Sequence, residues 1–372
     1  MPGRPVNYFA GFLWIDAAIA PRNWMAKHPK TPMTPVDSNK AALVARRGAT
    51  RLLRLVLDDG RFVYSYSAAG EPKPTRKYNV LRHCGAAWSM LDTARQLGEM
   101  TAVEEGAERA IRYLIANFLV PFGDGGLCVL DSGKIKLGGN GLALLALTEL
   151  FSLRKDEDLL AAACRLGRYI VSEQQADGDF VHSRVLETGE VRDFRSDYYT
   201  GEALFGLVRL YEATGDRHWL DRVVFSEAKL RERDYGVEAQ SHWMLYALDA
   251  LFAVRPSAEY LEHAGRIAAN ILAHPRYRDE RRSAPIACRS EGLLAYMRML
   301  ERADPSGISP SASECLRAIQ TNLGLQMEFQ TANGAFIRGG GSDEVRIDYI
   351  QHNISSFLAY SRLPVPAAAV AA

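Results

Sequence analysis

Net charge is nearly missing from this chain: 45 basic side chains almost cancel 44 acidic ones, leaving +1 over 372 residues. Without an excess of one sign there is no general field to gather nucleic acid or an anionic membrane, and neither is expected as a partner. Cys84, Cys128, Cys164, Cys288 and Cys315 form no CxxC pair, and the odd count leaves at least one thiol free, which favours a reducing compartment. HExxH and EF-hand patterns are missing and the histidines are dispersed, so no metal is expected. Gly138-Gly139-Asn140-Gly141 and Gly339-Gly340-Gly341 lack a P-loop lysine and the GxGxxG spacing, so they read as bending loop entries, and no cofactor is expected. Long apolar runs are also missing. Tyr8 to Ala20 is apolar and ends in the signal-peptidase-like Ala18-Ile19-Ala20, but it is short, contains Asp16 and follows only Arg4. The expected location is cytoplasmic, with export as the alternative.

What is present is helical periodicity. Residues 1–36 hold six prolines and are expected to form an irregular arm, and 364–372 a flexible tail. Between them, over 37–363, apolar residues recur at three- and four-residue spacing in segments bounded by Gly, Pro, Asp or Asn. Two kinds of segment alternate. His83–Leu97, Gly141–Leu153, Gly201–Ala213, His242–Phe252, Glu291–Glu301 and His352–Arg362 are apolar or small on nearly every side and must be buried. Ser38–Arg47, Ala102–Phe118, Asp156–Gln174, His218–Arg231, Ala258–His274 and Ser311–Glu328 are amphipathic and charged, as an outer layer requires. Six of each, at irregular spacings of about 40 to 60 residues, fit a closed ring better than a fixed-repeat solenoid. The expected fold is an all-α (α/α)6 toroid of about six helical hairpins. Asx-Gly turns at Asp59-Gly60, Asp124-Gly125, Asp177-Gly178 and Asn333-Gly334, each followed by an alternating stretch, predict short β-hairpins in its loops.

This alternation, with phrases such as Tyr199-Thr200-Gly201-Glu202-Ala203-Leu204 running into Leu210-Tyr211-Glu212-Ala213-Thr214-Gly215-Asp216, resembles the six-hairpin toroid superfamily of glycoside hydrolases, unsaturated-glucuronyl hydrolases, polysaccharide lyases and sugar epimerases. The resemblance covers about 37–363 and speaks to architecture more than to reaction.

In such a ring the loops entering the inner helices converge on one mouth. The positions there are Tyr78, Arg82 and His83; Asn140; Asp197, Tyr198, Tyr199 and Glu202; Glu238, His242 and Trp243; Arg289 and Glu291; and Asp348, Tyr349, His352 and Asn353. Ionisable and aromatic groups gathered at one end of otherwise apolar helices suit a saccharide or other polar small molecule, anionic ones included. Each has a structural alternative. Asp197 could be a helix N-cap, Glu202 and Glu291 could serve the helix dipole, and His242 and His352 could be satisfied core histidines. Arg82 needs an anion, either Asp348 or a substrate group.

The leading expectation is a glycoside hydrolase-like enzyme with catalytic groups among Asp197, Glu202, His242, Glu291, Asp348 and His352. Tyr78, Arg82, His83, Asn140, Tyr198, Tyr199, Trp243, Arg289 and Tyr349 would bind substrate. The alternative is an epimerase, isomerase or uronate lyase, because N-acylglucosamine epimerases of similar architecture place histidines on the fourth and sixth inner helices, as His242 and His352 would be. The flanking Gln240-Ser241 and Gln351 depart from that family's motifs. Gln174-Gln175-Ala176-Asp177-Gly178-Asp179-Phe180 resembles a repeat of terpenoid cyclases and prenyltransferases, a third possibility, though the acidic or zinc-binding cluster of those enzymes is not evident. A non-catalytic glycan-binding protein is the fourth.

Overall fold

The computed structural model describes residues 36–303 and 308–363. The expected arm, apart from Val36, and the expected tail lie outside the described residues. Among those described there are thirteen helices and seven short strands. The outer helices are α1 (Ser38–Leu53), α3 (Thr101–Phe118), α5 (Glu157–Ser172), α7 (Arg217–Arg231), α9 (Ala258–Ala273) and α12 (Ala312–Met327). Between them run the inner helices α2 (Val80–Leu97), α4 (Leu137–Arg154), α6 (Tyr199–Thr214), α8 (His242–Val254), α11 (Ser283–Arg302) and α13 (Ile347–Ser361), with a single turn, α10 (Arg276–Asp279), before α11. Each inner helix packs on the next, and α13 returns to α2, so the ring is closed. The all-α (α/α)6 toroid is the observed architecture.

The two layers differ as their sequences require. From Leu137 to Phe151 every residue of α4 is buried, whereas α1, α5 and α9 bury one stripe. Small residues let the inner helices touch at backbone distance. A Cβ on Gly141 of α4 would lie 2.6 Å from the Glu202 carbonyl of α6, and one on Gly201 would lie 2.5 Å from the Met244 nitrogen of α8. Five outer helices begin with an Asp or Ser cap, Asp37, Asp156, Asp216, Ser257 and Ser311, the last in a full capping box with Glu314. Four inner helices, α4, α6, α11 and α13, have no side-chain cap.

The Asx-Gly turns staple the layers together. Three of them close over the same span with a single bridge: Val56 to Phe62, Gln174 to Phe180 and Gln330 to Phe336. In each, the Asx oxygen accepts a hydrogen bond from the amide two residues on, at 2.9 Å for Asp59, 3.1 Å for Asp177 and 3.2 Å for Asn333. Gly178 and Gly334 have φ of +82° and +88°, and a Cβ there would strike α7 and α1. The fourth turn joins β2 (Leu119–Phe122) to β3 (Gly126–Asp131), which continues through β4 (Lys134–Lys136) to β5 (Ser183–Val185) in one antiparallel sheet. A second sheet orders β1 (Ser65–Ser67), β7 (Ser342–Arg346) and β6 (Ile337–Gly339).

These turns also account for the cyclase-like motif. Gln174 donates to Ser226 Oγ at 2.8 Å, Phe180 is buried, and Asp179 takes hydrogen bonds from Thr200 and the Phe180 amide and pairs with Arg195 and Arg233. Burial works against its charge, yet His182, Thr200 and the guanidinium hold the Asp179 carboxyl below the usual range. The motif anchors the start of α6.

One end of the ring is sealed. At the C-terminal ends of the inner helices, buried Glu149 lies between Arg95 and Arg209, and Asp249 between Arg298 and Arg302. Above these pairs the axis is filled by aromatic side chains: Trp88, Phe205, Trp243 and Tyr246 meet at ring centroid separations of 5.5 to 6.1 Å. Only the end where the inner helices begin is left to carry polar chemistry. Among the described residues no helix is long and apolar enough to cross a membrane, and all five cysteines are free.

Candidate active site

Three neighbouring inner helices supply a compact group over the aromatic floor. His242 opens α8, where Ser241 caps the helix through the Met244 amide. Cys288 and Glu291 stand one turn apart on α11, and His352 lies one and a half turns into α13. His352 Nδ1 is 2.9 Å from Glu291 Oε1, and Tyr246, one turn after His242, donates to Glu291 Oε2 at 3.0 Å. The two imidazole rings are 5.2 Å apart in a T-shaped arrangement, with Trp243 6.2 Å from His352 and Tyr198 5.5 Å from His242. One ligand atom each from His242, Cys288 and His352 lie within 4.8 Å of one another.

The electrostatics of the two histidines are opposite. Burial, then the positive charge of His352 and Arg289, drives His242 well below the ordinary imidazole range, so it is neutral. Neither of its nitrogens has a hydrogen-bond partner, although the residue is only 2% exposed. For His352 burial acts in the same sense but is outweighed by Cys288 and Glu291, which raise it well above that range. A neutral and a cationic imidazole therefore face each other. Burial raises the Glu291 carboxyl, opposed by His352.

Glu202, in the first turn of α6, is also buried, and burial pushes its carboxyl up to about 8, with His352 opposing. Its Oε2 has no partner. It is thus a neutral acid at physiological pH, packed beside Gly138 and Tyr199. Tyr199 in turn packs against His182 and Phe194, at 5.8 Å for each ring pair. Arg289 donates from Nε to Gln240 Oε1 at 3.0 Å and stacks on Tyr277.

Asp348 belongs to a separate ion-pair knot. It accepts from Arg82 at 2.9 Å and from both arms of Arg346 at 2.5 and 2.9 Å, and Arg82 also binds the Tyr64 hydroxyl. Burial opposes ionisation here, but the two guanidinium groups hold its carboxyl below the usual range. Tyr349 donates to Glu344 at 3.2 Å under the Arg346 guanidinium. Arg82 has thus found a protein carboxylate.

Other sequence candidates are engaged elsewhere. His83 bonds Tyr78 through Nδ1 at 2.7 Å and the Ala110 carbonyl of α3 through Nε2 at 2.8 Å, while the Tyr78 hydroxyl accepts from the Phe62 amide. Both residues tie α2 to the outer layer because His83 points away from the axis. Asn140 uses its carbonyl oxygen for the Val129 amide and its NH2 for the Lys136 carbonyl, both at 2.8 Å, and so closes the strand leading into α4. Asp197 is exposed, and the N-cap of α6 is Tyr198, without a side-chain cap bond. Glu291 is not in a first turn, since α11 begins eight residues earlier at Ser283. A helix-dipole role is therefore not available to it. Sequence reasoning passed over Cys288, Tyr246 and Arg346. The first two had a signal in helical spacing: Cys288 precedes Glu291 by three residues and Tyr246 follows His242 by four, which puts each pair on one helix face. A shallow groove beside Asp59, Glu105, Arg109 and Arg112 lies on the outer wall, away from this group.

No protein-family model matches the sequence, and no curated protein matches it. Solved structures do match in fold. A D-mannose isomerase superposes with a TM-score of 0.69 at 12% identity, covering 87% of this chain and 99% of that one. The cellobiose 2-epimerase from Bacillus thermoamylovorans B4167 gives 0.65 at 14%, covering 87% and 99%. The GH76A alpha-1,6-mannanase from Salegentibacter sp. HEL1_6 gives 0.63 at 11%, covering 86% and 98%. At these identities the likeness is one of fold: the chain is built on the six-hairpin (α/α)6 toroid that these three proteins share.

Proposed function

We propose that this protein is a sugar isomerase or epimerase that moves a proton at the carbon beside the carbonyl of an open-chain sugar, with His242 and His352 handling the proton. The observation that carries the reading is the opposite bias of two imidazoles whose rings are 5.2 Å apart. Environments that separate two pKa values assign the acid and the base. Neutral His242 takes the proton from the carbon, the electron pair moves into the adjacent carbonyl, and the His352 imidazolium gives a proton to the carbonyl oxygen. An enediol results. Return of a proton to the same carbon from the other face inverts it; return to the neighbouring carbon exchanges aldose and ketose. Glu291 and Tyr246 fix the ring of His352, and Trp243 offers an apolar wall for a sugar face. The shared toroid hosts such reactions in the isomerase and the epimerase, which supports the reading by analogy.

The test is incubation with D-mannose, D-glucose and cellobiose in D2O, followed by NMR. Product carrying deuterium is expected, at C2 in an epimer and at C1 in a ketose, and His242→Asn or His352→Asn should lower exchange by about 10²–10⁴-fold. Absence of exchange with every sugar overturns the proposal.

The hydrolase stands as the second reading because Glu202 is a protonated buried carboxyl, as a general acid must be. It predicts reducing sugar released from α-mannosides without deuterium at C1 or C2, and loss of that release in Glu202→Gln.

A further inference from the structure

We propose that His242, Cys288 and His352 form a binding site for a borderline-soft divalent metal ion of the zinc type. The three come from α8, α11 and α13, which pack on one another in sequence around the ring, and their ligand atoms lie within 4.8 Å. Imidazole nitrogen and thiolate sulfur are the donors that zinc-class ions prefer and that magnesium and calcium do not. His242 supplies the second, independent observation. It is 2% exposed, and both ring nitrogens lack a partner, a condition costing about 1–3 kcal/mol per group unless something takes the lone pair.

The surroundings match what holds a metal-bound imidazole. His352 Nδ1 lies 2.9 Å from Glu291, whose other oxygen is fixed by Tyr246, so a carboxylate orients the ring and leaves the remaining nitrogen as ligand. A divalent ion with the Cys288 thiolate and the Glu291 carboxylate makes a neutral group, which a buried position demands. Bonds of about 2.0–2.1 Å to nitrogen and 2.3 Å to sulfur give tetrahedral edges of about 3.3–3.6 Å, so the ligands, now within 4.8 Å, close by up to about 1.5 Å through side-chain rotation. Three protein ligands leave a fourth position for water or a substrate oxygen. Arg289 is the neighbouring cation, bonded to Gln240 and stacked on Tyr277.

This goes beyond the isomerase reading: an ion bound here takes the lone pairs that reading gives to proton transfer, so the proton chemistry belongs to the metal-free chain, and because the metal test uses no sugar, failure of one is distinguishable from failure of the other. The full chain, stripped with a chelator, is titrated with Co²⁺ and then with Zn²⁺. One equivalent of Co²⁺ should bind with a sulfur-to-cobalt charge-transfer band that Zn²⁺ displaces. Cys288→Ser should abolish the band, and Cys164→Ser, altering an outer-layer thiol, should keep it. Glu291→Gln should weaken binding by about 10–100-fold. If Cys288→Ser does not fold by circular dichroism, His242→Phe decides the matter: lost binding supports the site, and unchanged affinity overturns it. Absence of the band in the native chain, or its persistence in folded Cys288→Ser, also overturns it.

Discussion

Replacing Glu202 by Gln isolates one buried proton. The carboxyl ionises near 4.5 when exposed and is pushed up to about 8 in the fold, where it lies in the first turn of α6 with Oε2 unpartnered. Between these two values the folded chain holds a proton that the unfolded chain has released. The folded-state pKa is the higher one, so the stability linked to this proton is complete below about 4.5 and is lost as pH rises through about 8. A shift of that size corresponds to about 5 kcal/mol, an upper bound because water penetration and local relaxation soften the burial of charge. Glutamine has the shape and neutrality of the protonated acid and does not titrate. Urea unfolding at pH 5, 7 and 9 should therefore show the native chain losing at least about 2 kcal/mol relative to Glu202→Gln over that range. Other titrating groups are common to both proteins and cancel in the difference. Parallel curves would mean that the carboxyl reaches water or a cation, and would refute the reasoning.

Three further outcomes follow from the same geometry. The pH profile of kcat/KM for sugar isomerisation should be a broad bell, falling on the acid side only well below 6.5 as His242 gains a proton and on the alkaline side well above 6.5 as His352 loses one; a single inflection near 6.5 would contradict the assignment. His83→Ala should lower stability by about 1–3 kcal/mol in denaturant titration while leaving KM for sugar unchanged, because its nitrogens serve Tyr78 and Ala110; a changed KM would return it to the site. Gly141→Ala should cost about 1–3 kcal/mol through collision with the Glu202 backbone, whereas Gly139→Ala, whose Cβ would meet nothing nearer than 3.9 Å, should be neutral or gain up to about 1 kcal/mol. Equal melting temperatures for the two variants would refute the close packing of α4 on α6.

The ring was readable in the sequence because burial acts on each helix separately. A helix with a single apolar stripe belongs outside, and one like Leu137–Phe151, apolar all round, belongs inside; strict alternation of the two leaves little besides a double-layered ring. The turns were readable for the same local reason, since an Asx side chain and a following glycine act within four residues. Helix starts were read late. Ser283–Glu291 and Ile347–His352 carry polar residues that resemble loop, yet they are already helical, which puts Glu291 and His352 deeper than expected.

Which of the candidate residues meet was decided by tertiary structure. Nothing local distinguishes His83 from His352: each stands on an inner helix directly after a polar residue, Arg82 in one case and Gln351 in the other. The direction of the side chain separates them, toward Tyr78 and Ala110 in one case and toward Glu291 and Cys288 in the other. Protonation is likewise a property of the assembled ring. His242 and His352 have the same intrinsic chemistry, and their opposite bias exists only because α11 brings Glu291 and Cys288 to one of them. Sequence determines which groups reach the mouth of the toroid; only the packing of one helix on the next decides which of them meet, and hence which hold a proton.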